Sequence, residues 1–136
     1  MTTGDIVAVC AGPSIDYWSA FLAIVDVGGI FLGLNPKYTK AEFQSTVERA
    51  NPKVTLITED IEGRDYHPIA EHLRTIPTIT TRIITFQMGT LKGAVVENGW
   101  RENAKVQHTQ SRPNPNEPSV LVFTSGTSGE PKGALL

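Results

Sequence analysis

Short apolar runs bounded by turn residues alternate with stretches of near-helical apolar spacing through the first 86 positions of the chain. Ile6–Cys10 is apolar throughout and follows the turn residues Gly4 and Asp5, which suits a strand covered on both faces within a parallel sheet. Ala11, Gly12 and Pro13 end it. Ser14 is placed to cap a helix whose apolar residues Ile15, Trp18, Phe21, Leu22 and Val25 keep near-helical spacing, and Gly28 and Gly29 supply a left-handed stop. Tyr17 and Trp18 on this helix are expected in the core, where aromatic side chains usually pack. A strand over residues 30–34 closes a first βαβ unit. Thr39 and Glu42 form the Thr-x-x-Glu pattern of a capping box, so a second helix starts at Lys40 with Phe43, Val47 and Ala50 inward and ends at Asn51 and Pro52. Residues 53–58 make the next strand and complete a second βαβ unit.

Beyond it, His67 and Pro68 suit the first turn of a short helix with Ile69 and Leu73 inward, and Arg82–Phe86 reads as a strand. Residues 87–106 are the least patterned, with a short helix expected near residues 100–103. Residues 108–118 are polar and carry Pro113, Pro115 and Pro118, a loop that delivers the chain to an apolar strand over residues 120–123. The predicted fold is therefore α/β, a mainly parallel sheet built from βαβ units, with no internal repeat beyond that alternation.

That last strand runs directly into Thr124, Ser125, Gly126, Thr127, Ser128, Gly129, Glu130, Pro131, Lys132 and Gly133. Glycines at positions 126, 129 and 133 let the backbone adopt positive φ and bring N–H groups close to an anion. The hydroxyls of Thr124, Ser125, Thr127 and Ser128 add donors, and Lys132 adds charge. Several N–H and O–H donors with one ammonium suit the shared negative charge of a nucleotide's phosphates. A Walker loop needs Gly before the Lys and Ser or Thr after it, whereas Pro131 and Gly133 occupy those places here. A plain Gly/Ser/Thr linker has such a composition too, but needs neither this order nor a preceding buried strand.

Composition narrows the partners. The chain has 136 residues and a formal net charge of −2, near one domain in size and too weakly charged to point to nucleic acid or a membrane surface. Its one cysteine, Cys10, lies within an apolar run, which fits a small buried hydrophobe and a reducing, cytoplasmic setting. No segment has the length of a membrane span and no basic region precedes a secretory apolar stretch at the start, so a soluble protein is expected. Glu59 and Asp60 follow a strand and, with no basic or histidine partner close by in sequence, read as solvated loop acids. His67 and His72 are five apart, off the spacing that stacks two ligands on one helical face, and metal binding is not expected.

Residues 123–133 resemble, position by position, the signature of the adenylate-forming superfamily: aromatic-Thr-Ser-Gly-Thr-Thr/Ser-Gly-x-Pro-Lys-Gly. That superfamily comprises acyl-CoA and aryl-CoA ligases, luciferases and the adenylation domains of peptide synthetases. With each glycine at a background of roughly 7%, a chance match of all positions falls far below about one in a million. The likeness extends to residues 4–8, similar to the family's Gly-Asp-x-Val-Ala, and to residues 21–36, similar to a block that contains Gly-Gly and ends Pro-Leu-Asn-Pro. Within that block Asp26 and Val27 replace Lys-Ala, and Gly33 replaces the first Pro. Residues 34–39, with Glu42, look most like fatty or medium-chain acyl-CoA synthetases. The resemblance implies formation of an acyl-adenylate from a carboxylic acid and ATP, with Mg²⁺ nearby, followed by transfer to the thiol of coenzyme A. It implies phosphate binding by Thr124, Ser125, Gly126, Thr127, Ser128, Gly129, Lys132 and Gly133, with Lys132 taking the catalytic role. It also implies that residues 1–136 are the early part of the family's large domain, ending just after the phosphate loop, inactive alone and prone to self-associate through an exposed sheet edge. The alternatives are a stand-alone, non-catalytic module that binds a phosphate-bearing ligand or a partner, and an unrelated phosphotransferase, which would need a catalytic acid motif or arginine cluster beside the loop.

Overall fold

The computed structural model describes residues 1–87, 116–124 and 132–136. The chain runs β1 (Ile6–Cys10), α1 (Ile15–Asp26), β2 (Ile30–Gly33), α2 (Lys40–Ala50), β3 (Val54–Thr58), β4 (Asp60–Ile61), β5 (Arg64–Asp65), α3 (His67–Arg74), β6 (Arg82–Phe86), β7 (Val120–Thr124) and β8 (Lys132–Leu135). Six strands form one sheet in the order β6-β3-β1-β2-β7-β8, parallel except for β8, which pairs antiparallel with β7. The α/β fold with a mainly parallel sheet is thus the one the residue pattern predicts. The short helix expected near residues 100–103 lies outside the described residues.

Continuous apolar sequence in β1 has a direct structural reason. With β2 on one side and β3 on the other, its alternate side chains enter two separate cores. Ala8 and Cys10 join α2 and α3 residues, among them Phe43, Val47, Ile69 and Leu73, on one face. Val7 and Val9 join Ile24, Phe31 and Phe86 on the other, where α1 packs. Right-handed crossovers demand this division: β1 to β2 steps one way along the sheet, while β2 to β3 and β3 to β6 step the opposite way.

Local signals set the helix ends. Ser14 Oγ accepts the Tyr17 N–H at 3.1 Å, and Gly28 turns out of α1 at φ 76°. Thr39 and Glu42 form the full capping box: the Glu42 carboxylate accepts the Thr39 N–H at 2.7 Å and the Thr39 hydroxyl accepts the Glu42 N–H at 3.3 Å. These bonds hold the Glu42 carboxyl below its usual range. Asn51 ends α2 in the left-handed region, and Pro68 sits in the first turn of α3.

Three expectations need correction. On α1, Ile15, Trp18 and Leu22 are exposed, and the inward face is instead Tyr17, Phe21 and Ile24, with Tyr17 and Phe21 edge-on to Phe31 at 5.4 and 5.1 Å. Trp18 therefore does not pack in the core of the described residues. The helix is apolar over more than one face, so apolar spacing alone does not identify the inward one. Secondly, Asp60 is not in a plain loop: β4 and β5 form a hairpin whose two turn residues, Glu62 and Gly63, both have positive φ, at 53° and 82°. Thirdly, Glu59 does have a histidine partner, because the hairpin returns the chain and sets His67 Nε2 3.8 Å from its carboxylate.

Candidate phosphate site

The glycine-rich sequence is carried by the β7–β8 hairpin. Val120 and Leu121 pair with Phe31 and Leu32 of β2, so β7 runs parallel to the central strands and delivers residue 124 to their carboxyl ends. Open α/β sheets bind ligands at that end. There the chain reverses: Thr124 stands opposite Lys132, and Phe123 opposite Gly133. Lys132 and Gly133 thus open a strand, whereas the residue pattern places them inside the loop. The predicted residues Ser125, Gly126, Thr127, Ser128 and Gly129 lie outside the described residues. A Cβ at Gly133 would come within 3.2 Å of Leu121 Cδ1 and 3.4 Å of the Phe123 ring, so a side chain there would have to displace Leu121 by a few tenths of an ångström.

The ground beside the hairpin is the turn that follows β2. Asn35 Oδ1 accepts the Lys37 N–H at 2.9 Å, folding residues 35–37 into an Asx turn. The carbonyl of Pro36 accepts from the Arg64 guanidinium at 2.6 Å and from the Tyr66 hydroxyl at 2.8 Å, and the same guanidinium reaches the Tyr38 carbonyl at 3.1 Å. Arg64 also lies 5.0 Å from the centre of the Tyr66 ring. Tyr66 is buried and its hydroxyl is pushed above its usual pKa, chiefly by burial, so it remains a donor at neutral pH. Three residues from two segments thus fix the turn next to β7. Sequence reading named neither Arg64 nor Tyr66, because their partners are 26 to 30 positions away.

Other groups at this end have structural rather than chemical duties. The Cys10 thiol is fully buried, and that burial pushes its pKa up to about 12, so it is not a nucleophile. Asp65 accepts the backbone N–H and the Nδ1 of His67, at 2.9 and 2.8 Å, which lowers its carboxyl pKa. Thr58 turns its hydroxyl onto the Asp60 carbonyl at 3.2 Å. Among the described residues no helix is long and apolar enough to cross a membrane.

Comparison with known proteins matches this arrangement. The family profile of the AMP-binding enzymes covers residues 1–136. The acyl-CoA ligase SID4 of Ajellomyces capsulatus is 29% identical over 98% of this chain and 24% of its own length. The hybrid PKS-NRPS synthetase pydA of Acremonium sp is 27% identical over all of this chain and 3% of its own. Among solved structures, apo MatB from Rhodopseudomonas palustris superposes with a TM-score of 0.70 at 26% identity, over all of this chain and 25% of MatB. Its ATP-bound form superposes at 0.74. The chain thus spans at most about a quarter of these relatives. The match runs from the first residue to the last, through the β7–β8 hairpin as well as the sheet that carries it, and the chain belongs to the family of AMP-binding enzymes.

Proposed function

We propose that this chain is the phosphate-loop-bearing part of an ATP-dependent acyl-CoA synthetase. The observation that supports this reading is the order of residues 123–133, with its two ends, Phe123 and Gly133, paired across the hairpin at the carboxyl end of the sheet. In the proposed reaction a carboxylate oxygen attacks the α-phosphorus of ATP, the bond to pyrophosphate breaks, and the sulfur of coenzyme A then displaces AMP from the acyl carbon. Thr124, Ser125, Gly126, Thr127, Ser128, Gly129 and Gly133 hold the phosphates. Lys132 offsets the charge that builds on pyrophosphate as it departs. Mg²⁺ would add charge neutralisation at the phosphates, and the loop hydroxyls are hard oxygen donors of the kind it accepts. The likeness to an acyl-CoA ligase supports coenzyme A as acceptor, and residues 34–39 with Glu42 support a fatty or medium-chain acid. The buried free Cys10 supports a cytoplasmic setting.

Residues 1–136 by themselves are expected to bind ATP weakly and to adenylate no acid. A charge-assisted hydrogen bond contributes about 1.5–3 kcal/mol, and ordering loop backbone costs about 1–2 kcal/mol per residue. Positioning the carboxylate against the α-phosphate accounts for roughly 7–11 kcal/mol of barrier, and the family supplies it from a polypeptide about four times longer than this match. The test is incubation with ATP, Mg²⁺ and a panel of fatty and aromatic acids, measuring pyrophosphate release and protection of the chain from proteolysis, beside Lys132→Ala. No release, with ATP protection that the mutant loses, is the expected result. Protection equal in the mutant would overturn the assignment of Lys132, and wild-type turnover would show a self-sufficient enzyme.

Self-association of this chain is part of the same proposal. Among the described residues β8 ends the sheet, and Leu135 on it and Leu136 just after it are exposed. Light scattering should show mass rising with concentration. A monomer mass constant across the concentration range rejects the idea.

A further inference from the structure

The β4–β5 hairpin is a strap across the carboxyl end of the sheet. It is rooted at the end of β3, where the Glu59 N–H donates to the Phe86 carbonyl at 2.8 Å and the Tyr66 N–H to the Glu59 carbonyl at 2.9 Å. The Gly63 N–H on Asp60 Oδ1, at 3.1 Å, closes its turn. Ile61 crosses the end of β1, where a Cβ on Gly12 would stand 3.4 Å from Ile61 Cγ2. Arg64 then reaches the turn after β2, two strand spacings or about 10 Å from the root of the strap. A cation at this end of the sheet suits a phosphate contact. Its hydrogen bonds go elsewhere: one terminal nitrogen of Arg64 donates to the Pro36 carbonyl and the other to the Tyr38 carbonyl, so the guanidinium is engaged by backbone.

We infer that Arg64 and Tyr66 are positioning residues for the root of the glycine-rich hairpin, acting through the turn after β2; this rests on reading residues 123–133 as the phosphate site. Register links the two elements. Phe31 pairs with Val120 and Leu32 with Leu121, so continuing the ladder brings Leu34 and Asn35 alongside Phe123 and Thr124. The residues that leave β2 are therefore the lateral neighbours of those that open the signature. Packing joins them as well. Leu34, Phe43 and Tyr66 belong to one buried cluster, and Tyr38 and Phe123 pack against it. Tyr38 and Tyr66 both stand edge-on to Phe43, with ring centres 5.8 and 6.5 Å away. Phe123 meets this cluster and also β8, where a Cβ on Gly133 would be 3.4 Å from its ring. Among the described residues β2 and β7 share only two residue pairs, which leaves the carboxyl end of β7 to be placed by this packing. The clamp itself converges on one atom: the Pro36 carbonyl accepts from Arg64 at 2.6 Å and from the Tyr66 hydroxyl at 2.8 Å, so it keeps a donor unless both are removed.

The test compares Arg64→Met, which keeps the apolar stem and removes the donors, Tyr66→Phe and the double variant with Lys53→Met, which breaks the 3.0 Å ion pair to Asp5 at the opposite end of the sheet. Amide spectra of the full chain are recorded without nucleotide and then through a titration with ATP and Mg²⁺. In Arg64→Met the resonances of Asn35, Lys37 and Tyr38 should move, and those of Phe123, Thr124 and Gly133 should move with them. Tyr66→Phe should move the same set less and the double variant more, while Lys53→Met leaves it in place; lost stability alone does not shift native resonances on another strand. If the double variant does not fold, the two single ones decide. The Kd for ATP should rise about tenfold in Arg64→Met, within the range for mutations that touch neither of two coupled sites. Movement confined to residues 34–38 overturns the inference. So does a raised Kd with Phe123, Thr124 and Gly133 unmoved, which would make Arg64 a phosphate contact, and so does an unchanged Kd with those resonances moved. A wild-type chain that binds no ATP would instead remove the functional reading, and the nucleotide-free spectra would still decide whether the clamp sets the hairpin.

Discussion

At Gly33 the missing side chain is matched by a neighbour's excess. A Cβ there would lie 2.8 Å from the Tyr17 hydroxyl and 3.4 Å from the Phe31 ring, so Tyr17 fills the space that a larger residue would take at the end of β2. Gly33→Ala should cost about 1–2 kcal/mol, because Tyr17 is held against Phe31 and Trp18 and must shift as a unit. In a Tyr17→Phe background the same change should cost about 1 kcal/mol less, since the crowding atom is gone. Urea unfolding of the four proteins measures the coupling. Equal cost in both backgrounds would show that strand geometry, rather than Tyr17, selects the glycine.

At the scale of elements, the turn between β2 and α2 is held from both sides, by its own capping box and by Arg64 and Tyr66 from the β4–β5 hairpin. Thr39→Ala should cost about 1 kcal/mol by leaving an N-terminal amide of α2 without its acceptor. Tyr66→Phe should cost about 0.5–1.5 kcal/mol, the usual net contribution of one hydrogen bond, and because it removes only the donor the Pro36 carbonyl keeps Arg64. Denaturation midpoints check both, and a neutral Tyr66→Phe would mean that Arg64 alone secures the turn. The first half of this device was legible in the sequence and the second was not. Thr39 and Glu42 act within one helical turn, as do Ser14 and Gly28 at the ends of α1, so spacing reveals them. Arg64 and Tyr66 act across 26 to 30 residues, and the two-residue turn that aims them has Glu62 in the left-handed region, where Asn, Asp or Gly is the usual signal. The face of α1 was misread for a related reason: it is apolar on more than one side, and only the placement of Phe31 beneath it decides which side is inward. The order of residues 123–133 was legible as a phosphate cradle, but its continuation into β8 was not, because a four-residue strand beginning Lys-Gly-Ala carries little β pattern of its own.

On the scale of the whole molecule, stability and the candidate function sit at different places in one sheet. Strand β1 is laddered on both sides, and Ala8, Val9 and Cys10 are fully buried, so its amides and those of β3 should exchange slowest with solvent. Among the described residues the β7–β8 hairpin joins the sheet through two residue pairs with β2, and β8 pairs only with β7, so this unit should open at lower free energy than the centre. Strand β6 is the other edge and is laddered to β3 over five pairs, which makes it an internal control. A ligand that binds the closed hairpin slows its exchange by about (1 + [L]/Kd), roughly tenfold at ten times Kd. ATP with Mg²⁺ should therefore slow exchange in β7 and β8 by about that factor while leaving β6 unchanged, and Lys132→Ala should remove most of the effect. Equal slowing of β6 would mean that nucleotide stabilises the whole fold from some other place. Slowing confined to the hairpin but retained in the mutant would leave the backbone N–H groups and hydroxyls of the loop, rather than the ammonium, as the main phosphate contacts.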